Sequence, residues 1–107
     1  MQVITCIKGG VMVYFIAAVY IDEEKGRGDY DEYIREVRPI VEQYGGRYIV
    51  RSDKITPLGE KWRPGRLIVI EWDTKERLDK CFQSGEYRKI ASKREGSVDS
   101  RAVIVEG

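Results

Sequence analysis

The 107-residue chain contains no histidine. That absence removes the commonest general base, the commonest metal ligand and the side chain that titrates near neutral pH. Cysteine is nearly as scarce. Cys6 and Cys81 are the two present, and they lack the CxxC spacing of a zinc knuckle or a redox pair. No disulfide framework is implied, and reduced thiols in a cytoplasmic protein are expected. Excess charge is lacking too: 19 basic and 18 acidic residues leave a net charge of +1. There is no bulk field to gather nucleic acid or an anionic membrane, so neither is expected as a partner. The longest apolar run, residues 11–21, is about half a membrane span. It lacks the basic flank and small-residue cleavage site of a secretory signal. No P-loop, GxGxxG, HExxH or GxSxG motif occurs, and the aromatic RNP pattern of RNA-binding sheets is missing. Neither a metal nor a cofactor is expected.

What is present is a chain with 42% hydrophobic and 35% charged residues, enough for one globular domain with a modest core. Its organising stretch is Tyr44-Gly45-Gly46-Arg47-Tyr48-Ile49-Val50-Arg51. A helical pattern precedes it, with Tyr30, Tyr33, Ile34, Val37, Ile40, Val41 and Tyr44 at steps of three and four. Asp29 suits the N-cap, Asp31 and Glu32 favour the first turn, and Pro39 predicts a kink or a lost bond to Arg35. The two glycines supply the positive φ of a helix C-terminus. A strand follows at once.

Residues 13–21 read as a first strand that is apolar on both faces, so both faces of its sheet require cover. Residues 22–28 read as a turn. Residues 52–65 form a polar loop containing Trp62, whose size calls for a packing partner, which a second subunit could supply. Residues 66–72 form the third strand. Thr74 caps a short helix, Ser84 caps another that Gly96 ends, and residues 101–106 form the last strand. Residues 1–11 are expected to be an N-terminal extension or extra strand, with Met12 as a possible native start and 12–107 as the domain.

The order strand, helix, strand, strand, helix, strand gives an α+β fold: the ferredoxin-like βαββαβ arrangement with an antiparallel sheet and helices on one face. The other face is too apolar to stand in water, so a second copy packing sheet to sheet, a homodimeric α/β barrel, is the expected assembly.

The chain resembles the small dimeric α/β-barrel family called domain of unknown function 1330. The resemblance rests on Tyr30-x-x-Tyr33, Pro39, the Tyr44–Arg51 stretch, and Trp62-Arg63-Pro64-x-Arg66 continuing to Trp72. It extends through Ser84-x-Glu86-Tyr87, Arg94 and the terminal Val103-Ile104-Val105-Glu106-Gly107. Trp72 stands where phenylalanine is usual, and Ser84-Gly85-Glu86 where serine-proline-glutamate is usual. The family implies the fold and a homodimer and supplies no settled activity.

Candidate ligand-binding residues follow from charge on apolar stripes. Arg94 shares a helical face with Tyr87, Ile90 and Ala91, so it either captures a ligand carboxylate or enolate or pairs with an acid such as Glu71. Arg47 and Arg51 are expected on one strand face with Arg66 near, either as an anion site or as solvated ion pairs. Tyr14 is a further pocket candidate. Cys81 reads as a small core residue, since no histidine can activate it. Two functions stand at this point. One is a non-catalytic dimeric module binding a small anionic or aromatic ligand. The other is a cofactor-independent enzyme, monooxygenase- or isomerase-like, acting on a small organic substrate.

Overall fold

The junction between the first helix and the second strand explains two consecutive glycines. The computed structural model describes residues 12–21, 29–95 and 98–107. Helix α1 spans Tyr30–Gln43. It closes with a pair of bonds typical of a Schellman motif: Gly46 N–H donates to the Val41 carbonyl at 2.9 Å and Gly45 N–H to that of Glu42 at 3.1 Å. Of the two glycines, only Gly45 takes positive φ, at +96°. Gly46 is required for another reason: a Cβ there would lie 2.5 Å from a Val41 methyl carbon and 2.9 Å from the Trp72 ring. The expectation that both glycines serve the turn is corrected accordingly.

Asp29 takes the N-cap position of α1, but its side chain makes no capping bond. The helix continues through the exposed Pro39 without interruption. Proline has no N–H, so the bond to the Arg35 carbonyl is lost while the remaining turns hold.

Strands β1 (Val13–Tyr20), β2 (Arg47–Ser52), β3 (Arg66–Trp72) and β4 (Asp99–Glu106) form one antiparallel sheet in the order β2-β3-β1-β4. Helices α2 (Lys75–Gln83) and α3 (Gly85–Glu95) separate β3 from β4. This is the ferredoxin-like arrangement. The last strand begins two residues before the expected Arg101. The extension or extra strand expected at residues 1–11, the turn expected at 22–28 and the helix stop expected at Gly96 lie outside the described residues.

The caps expected at the α2 and α3 starts are formed. Thr74 Oγ1 accepts from Arg77 N–H at 3.1 Å, and Ser84 Oγ accepts from Tyr87 N–H at 3.1 Å. Ser84 also donates to the Cys81 carbonyl at 2.6 Å, stitching α2 to α3.

Pairing register decides which strand face meets the helices. Val13 lies opposite Trp72, Phe15 opposite Ile70 and Ala17 opposite Ile68. Those residues line the helix side, where the core of Val19, Val41, Ile70, Trp72, Leu78 and Cys81 is packed. The other face carries Tyr14, Ile16, Leu67, Val69, Val103 and Val105. Val103 is 57% exposed and Val105 42%, so this apolar face is uncovered in the single chain.

Candidate functional site

A cavity of about 350 Å³ lies between the sheet and the helices. Its floor is the inner face of the strands: Phe15, Ala17, Ile68, Ile70, Ala102 and Ile104. Its roof comes from α1, α2 and α3, which contribute Tyr33, Val37, Phe82, Tyr87 and Arg94. Ile104, on the helix side of the edge strand β4, is 43% exposed. The volume falls within the usual range for small-molecule pockets, which are mostly apolar with a few placed polar groups.

The walls are aromatic and mutually braced. Phe82 packs on Phe15 with ring centroids 4.8 Å apart and planes tilted by 33°, and meets Tyr87 edge-on at 4.9 Å. Tyr33 stacks on Tyr30 at 6.0 Å and meets Tyr87 edge-on at 6.2 Å. Such pairs stabilise each other by about 0.5–1.5 kcal/mol beyond their buried area, so these rings hold their places.

Polar groups gather where α1 crosses α3. The hydroxyls of Tyr33 and Tyr87 lie 3.0 Å apart, both side chains being buried. Burial, with Tyr87 beside it, pushes the Tyr33 phenol far above its ordinary range, so it remains protonated. Arg94, one α3 face along from Tyr87, has its guanidinium 6.0 Å from the Tyr33 ring centroid. Burial opposes its charge, but Tyr87 and Tyr33 outweigh that and raise the guanidinium above its ordinary value. Its one ion pair among the described residues is a 3.7 Å approach to the largely exposed Glu95. Its buried Nε has no partner among them. A buried donor left unsatisfied costs about 1–3 kcal/mol.

Arg94 and Tyr87 thus both line the cavity. The alternative pairing of Arg94 with Glu71 is not found: Glu71 lies on the opposite sheet face, where its carboxylate accepts from Arg47 at 3.2 Å and from Tyr14 at 3.4 Å. Arg47 is bound to Asp73 as well, at 2.9 Å. Tyr14 and Arg47 are therefore spent in a network away from the cavity.

The expected arginine cluster is also corrected. A β-bulge between Tyr48 and Val50 shifts the register, so Arg47 lies opposite Glu71 while Arg51 lies opposite Ile68. One extra residue reverses the side-chain alternation, and the two arginines point to opposite faces. Arg51 stacks over Tyr48 at 5.3 Å, and Arg38 of α1 stands 5.7 Å from the same ring. Arg66, opposite Val19, lies on the helix side without lining the cavity. Its buried Nε lacks a partner among the described residues.

Several lining residues carry no sequence signal for this role. Tyr33 is one of five tyrosines, with Tyr14, Tyr30, Tyr44 and Tyr87, that spacing makes mostly core or interface and any of which could place a hydroxyl in a pocket; nothing in the sequence singles it out. Tyr48, whose phenol burial pushes up to about 12, lines the cavity because the strand turns it inward. Asp79, the one carboxylate among the described lining residues, is tied to Lys75 at 3.0 Å. Cys81 is fully buried in the core, and burial pushes its thiol up to about 12, leaving it inert as a nucleophile near neutral pH. Among the described residues no cluster of histidine, cysteine or carboxylate side chains is arranged to hold a metal. No described helix is long and apolar enough to cross a membrane.

Residues 12–107 match the domain of unknown function (DUF1330) family. The chain belongs to that family. No curated protein matches the chain. Among solved structures, a protein of unknown function from Rhodopseudomonas palustris aligns with TM-score 0.70 at 18% identity, covering 98% of this chain and 91% of that one. A dimeric ferredoxin-like protein of unknown function from Jannaschia sp. aligns with TM-score 0.62 at 16% identity, over 90% and 99% of the two chains. SnoaB, a cofactor-independent oxygenase from Streptomyces nogalater, aligns with TM-score 0.55 at 10% identity, over 91% of each chain. At these identities the likeness is one of fold.

Proposed function

We propose that this DUF1330 protein is a homodimeric module that binds a small, largely planar organic anion in the cavity between its sheet and helices. The observation that carries the reading is Arg94: an arginine on the wall of an aromatic cavity, whose one ion pair among the described residues is a 3.7 Å approach to the largely exposed Glu95. A carboxylate or other oxyanion would pair with its guanidinium in charge-assisted form. Tyr87 stands beside it, and the ring-lined walls suit a flat apolar body. Residues Arg47, Arg51, Arg66 and Tyr14, considered from sequence as ligand contacts, are left out of this reading, since none of them lines the cavity.

The dimer part rests on the outer sheet face. Ile16, Leu67, Val69, Val103 and Val105 form an apolar surface broken by the Arg47–Glu71–Tyr14 network. A second copy related by a two-fold axis covers such a face economically. The Jannaschia protein of the same fold is dimeric, which supports a dimer here.

A second reading is favoured by the cavity's polar end. A wall with a guanidinium beside tyrosine hydroxyls also suits a cofactor-independent enzyme on a small organic substrate, and SnoaB shares the fold. The test of the binding reading is a thermal-shift screen of small aromatic and aliphatic acids against the wild type, Arg94→Lys and Arg94→Met. A hit weakened in Arg94→Lys and lost in Arg94→Met, with both variants folded, supports the site. Equal binding by Arg94→Met and the wild type contradicts it. Consumption of a bound hit under air selects the enzyme reading over the module.

A further inference from the structure

The polar end of the cavity is rich in hydrogen-bond donors and poor in bases. Arg94 can only donate. Tyr33 and Tyr87 share one hydrogen bond at 3.0 Å, which uses one of their two hydroxyl hydrogens and leaves the other for a third group. Among the described residues, the cavity's titratable and charged groups are Tyr30 and Tyr33 of α1, Tyr48 of β2, Asp79 of α2, and Tyr87 and Arg94 of α3. Asp79, the only carboxylate among these six, is paired with Lys75. The chain has no histidine, and the described lining has more donors than bases, so Arg94 and the tyrosine pair are suited to stabilise an oxygen that has already lost its proton.

We infer that this end of the cavity binds a weak organic acid as its single-oxygen anion, a phenolate or an enolate, in preference to the neutral acid. The inference rests on the ligand site proposed above and narrows it to one chemical class. One oxygen with several lone pairs can accept from the accessible part of the Arg94 guanidinium and from the spare tyrosine hydroxyl together. The neutral acid would bring a further donor into a site already supplied with donors, and would give the guanidinium no counter-charge beyond the largely exposed Glu95. In the bound state the ligand's O–H bond is broken, its electron pair stays on the oxygen, and the proton has left to bulk water. Tyr33, kept protonated by burial, serves as a donor throughout. The aromatic walls at Phe82 and Phe15 hold the conjugated body of the anion.

The probe is 4-nitrophenol, whose phenolate absorbs visible light and whose phenol does not. Its neutral methyl ether, 4-nitroanisole, is the control. The bound nitrophenol is titrated spectroscopically against pH at saturating wild-type protein, then with Arg94→Met, Arg94→Lys, Tyr33→Phe and Tyr87→Phe. The expected result is a bound probe that ionises at least about one pH unit below its free value, a roughly tenfold preference for the phenolate. Arg94→Met should abolish the shift, and each tyrosine variant should reduce it while the probe remains bound. Circular dichroism establishes that each variant is folded, and the tyrosine variants carry the test if Arg94→Met is not. A wild-type probe that ionises at or above its free pH overturns the inference while leaving the ligand site standing. Failure of both nitrophenol and nitroanisole to bind overturns the site itself, and the inference with it.

Discussion

Gly46 and Trp72 form the tightest fit in the molecule. The added Cβ of an alanine at 46 would collide with Val41 and with the Trp72 ring, both fully buried. Gly46→Ala is therefore expected to destabilise by about 1–3 kcal/mol in denaturant melts, as overpacking does. Trp72 has its own cost, because its buried indole N–H finds no partner among the described residues. Trp72→Phe trades lost ring contacts against that orphaned donor and should cost no more than about 1.5 kcal/mol. The smaller ring also leaves more room at position 46, so Gly46→Ala should be milder in the Trp72→Phe background by about 0.5 kcal/mol or more. Strict additivity in that double-mutant cycle would show that the indole does not set the requirement for glycine. The glycine pair was legible in the sequence as a helix stop, but the close approach of Gly46 to a residue of β3 was not, because only the folded chain brings them together.

Among the elements, the contact of α1 with α3 holds the polar end of the cavity in place. Lys93 of α3 donates to Glu32 at 2.5 Å and to Glu36 at 2.7 Å on α1, while Tyr44 at the end of α1 donates to Glu86 at 3.0 Å. The hydrogen bond and charge of Lys93 hold the exposed Glu32 carboxyl below its ordinary value of 4.5. A depressed carboxyl stabilises the fold above its unfolded pKa, and that contribution is lost as pH falls through the folded value. The thermal midpoint gap between wild type and Glu32→Gln should thus be open at pH 7 and close as the solution is acidified below about 4.5. A gap independent of pH would contradict the pairing. Much of this level was legible beforehand. Steps of three and four gave α1, hydroxyl residues at 74 and 84 marked the helix starts, and element order gave the sheet. Arg94 and Tyr87, seven residues apart on one helix, were placed together by periodicity alone. The misplaced arginines show where such reading stops: alternation assumes an unbroken ladder, and the bulge between Tyr48 and Val50 leaves no mark in composition. Nothing in the sequence singles Tyr33 out among the tyrosines, because its role depends on Tyr87, which is 54 positions away in the chain.

At the scale of the whole molecule, the sheet has one face committed to the helices and one face uncovered. The two faces predict opposite outcomes for neighbouring substitutions on β1. Ile16→Glu, on the outer face, should leave a folded monomer by light scattering and circular dichroism. Phe15→Glu, on the cavity floor beside Phe82, should unfold the domain or cost several kcal/mol, as burying an unpaired charge does. A wild-type monomer at micromolar concentration would remove the dimer. The central claim, however, concerns the cavity, which lies between the sheet and the helices of a single chain. Its most direct test is a crystal structure of the protein soaked with the strongest acid found by the thermal-shift screen. The account predicts density between the sheet and helices, with the flat body against Phe82 and Phe15 and an anionic oxygen within hydrogen-bonding distance of Arg94 and the Tyr33–Tyr87 pair. Density on the outer sheet face, or a cavity left empty by a ligand that binds in solution, would contradict it.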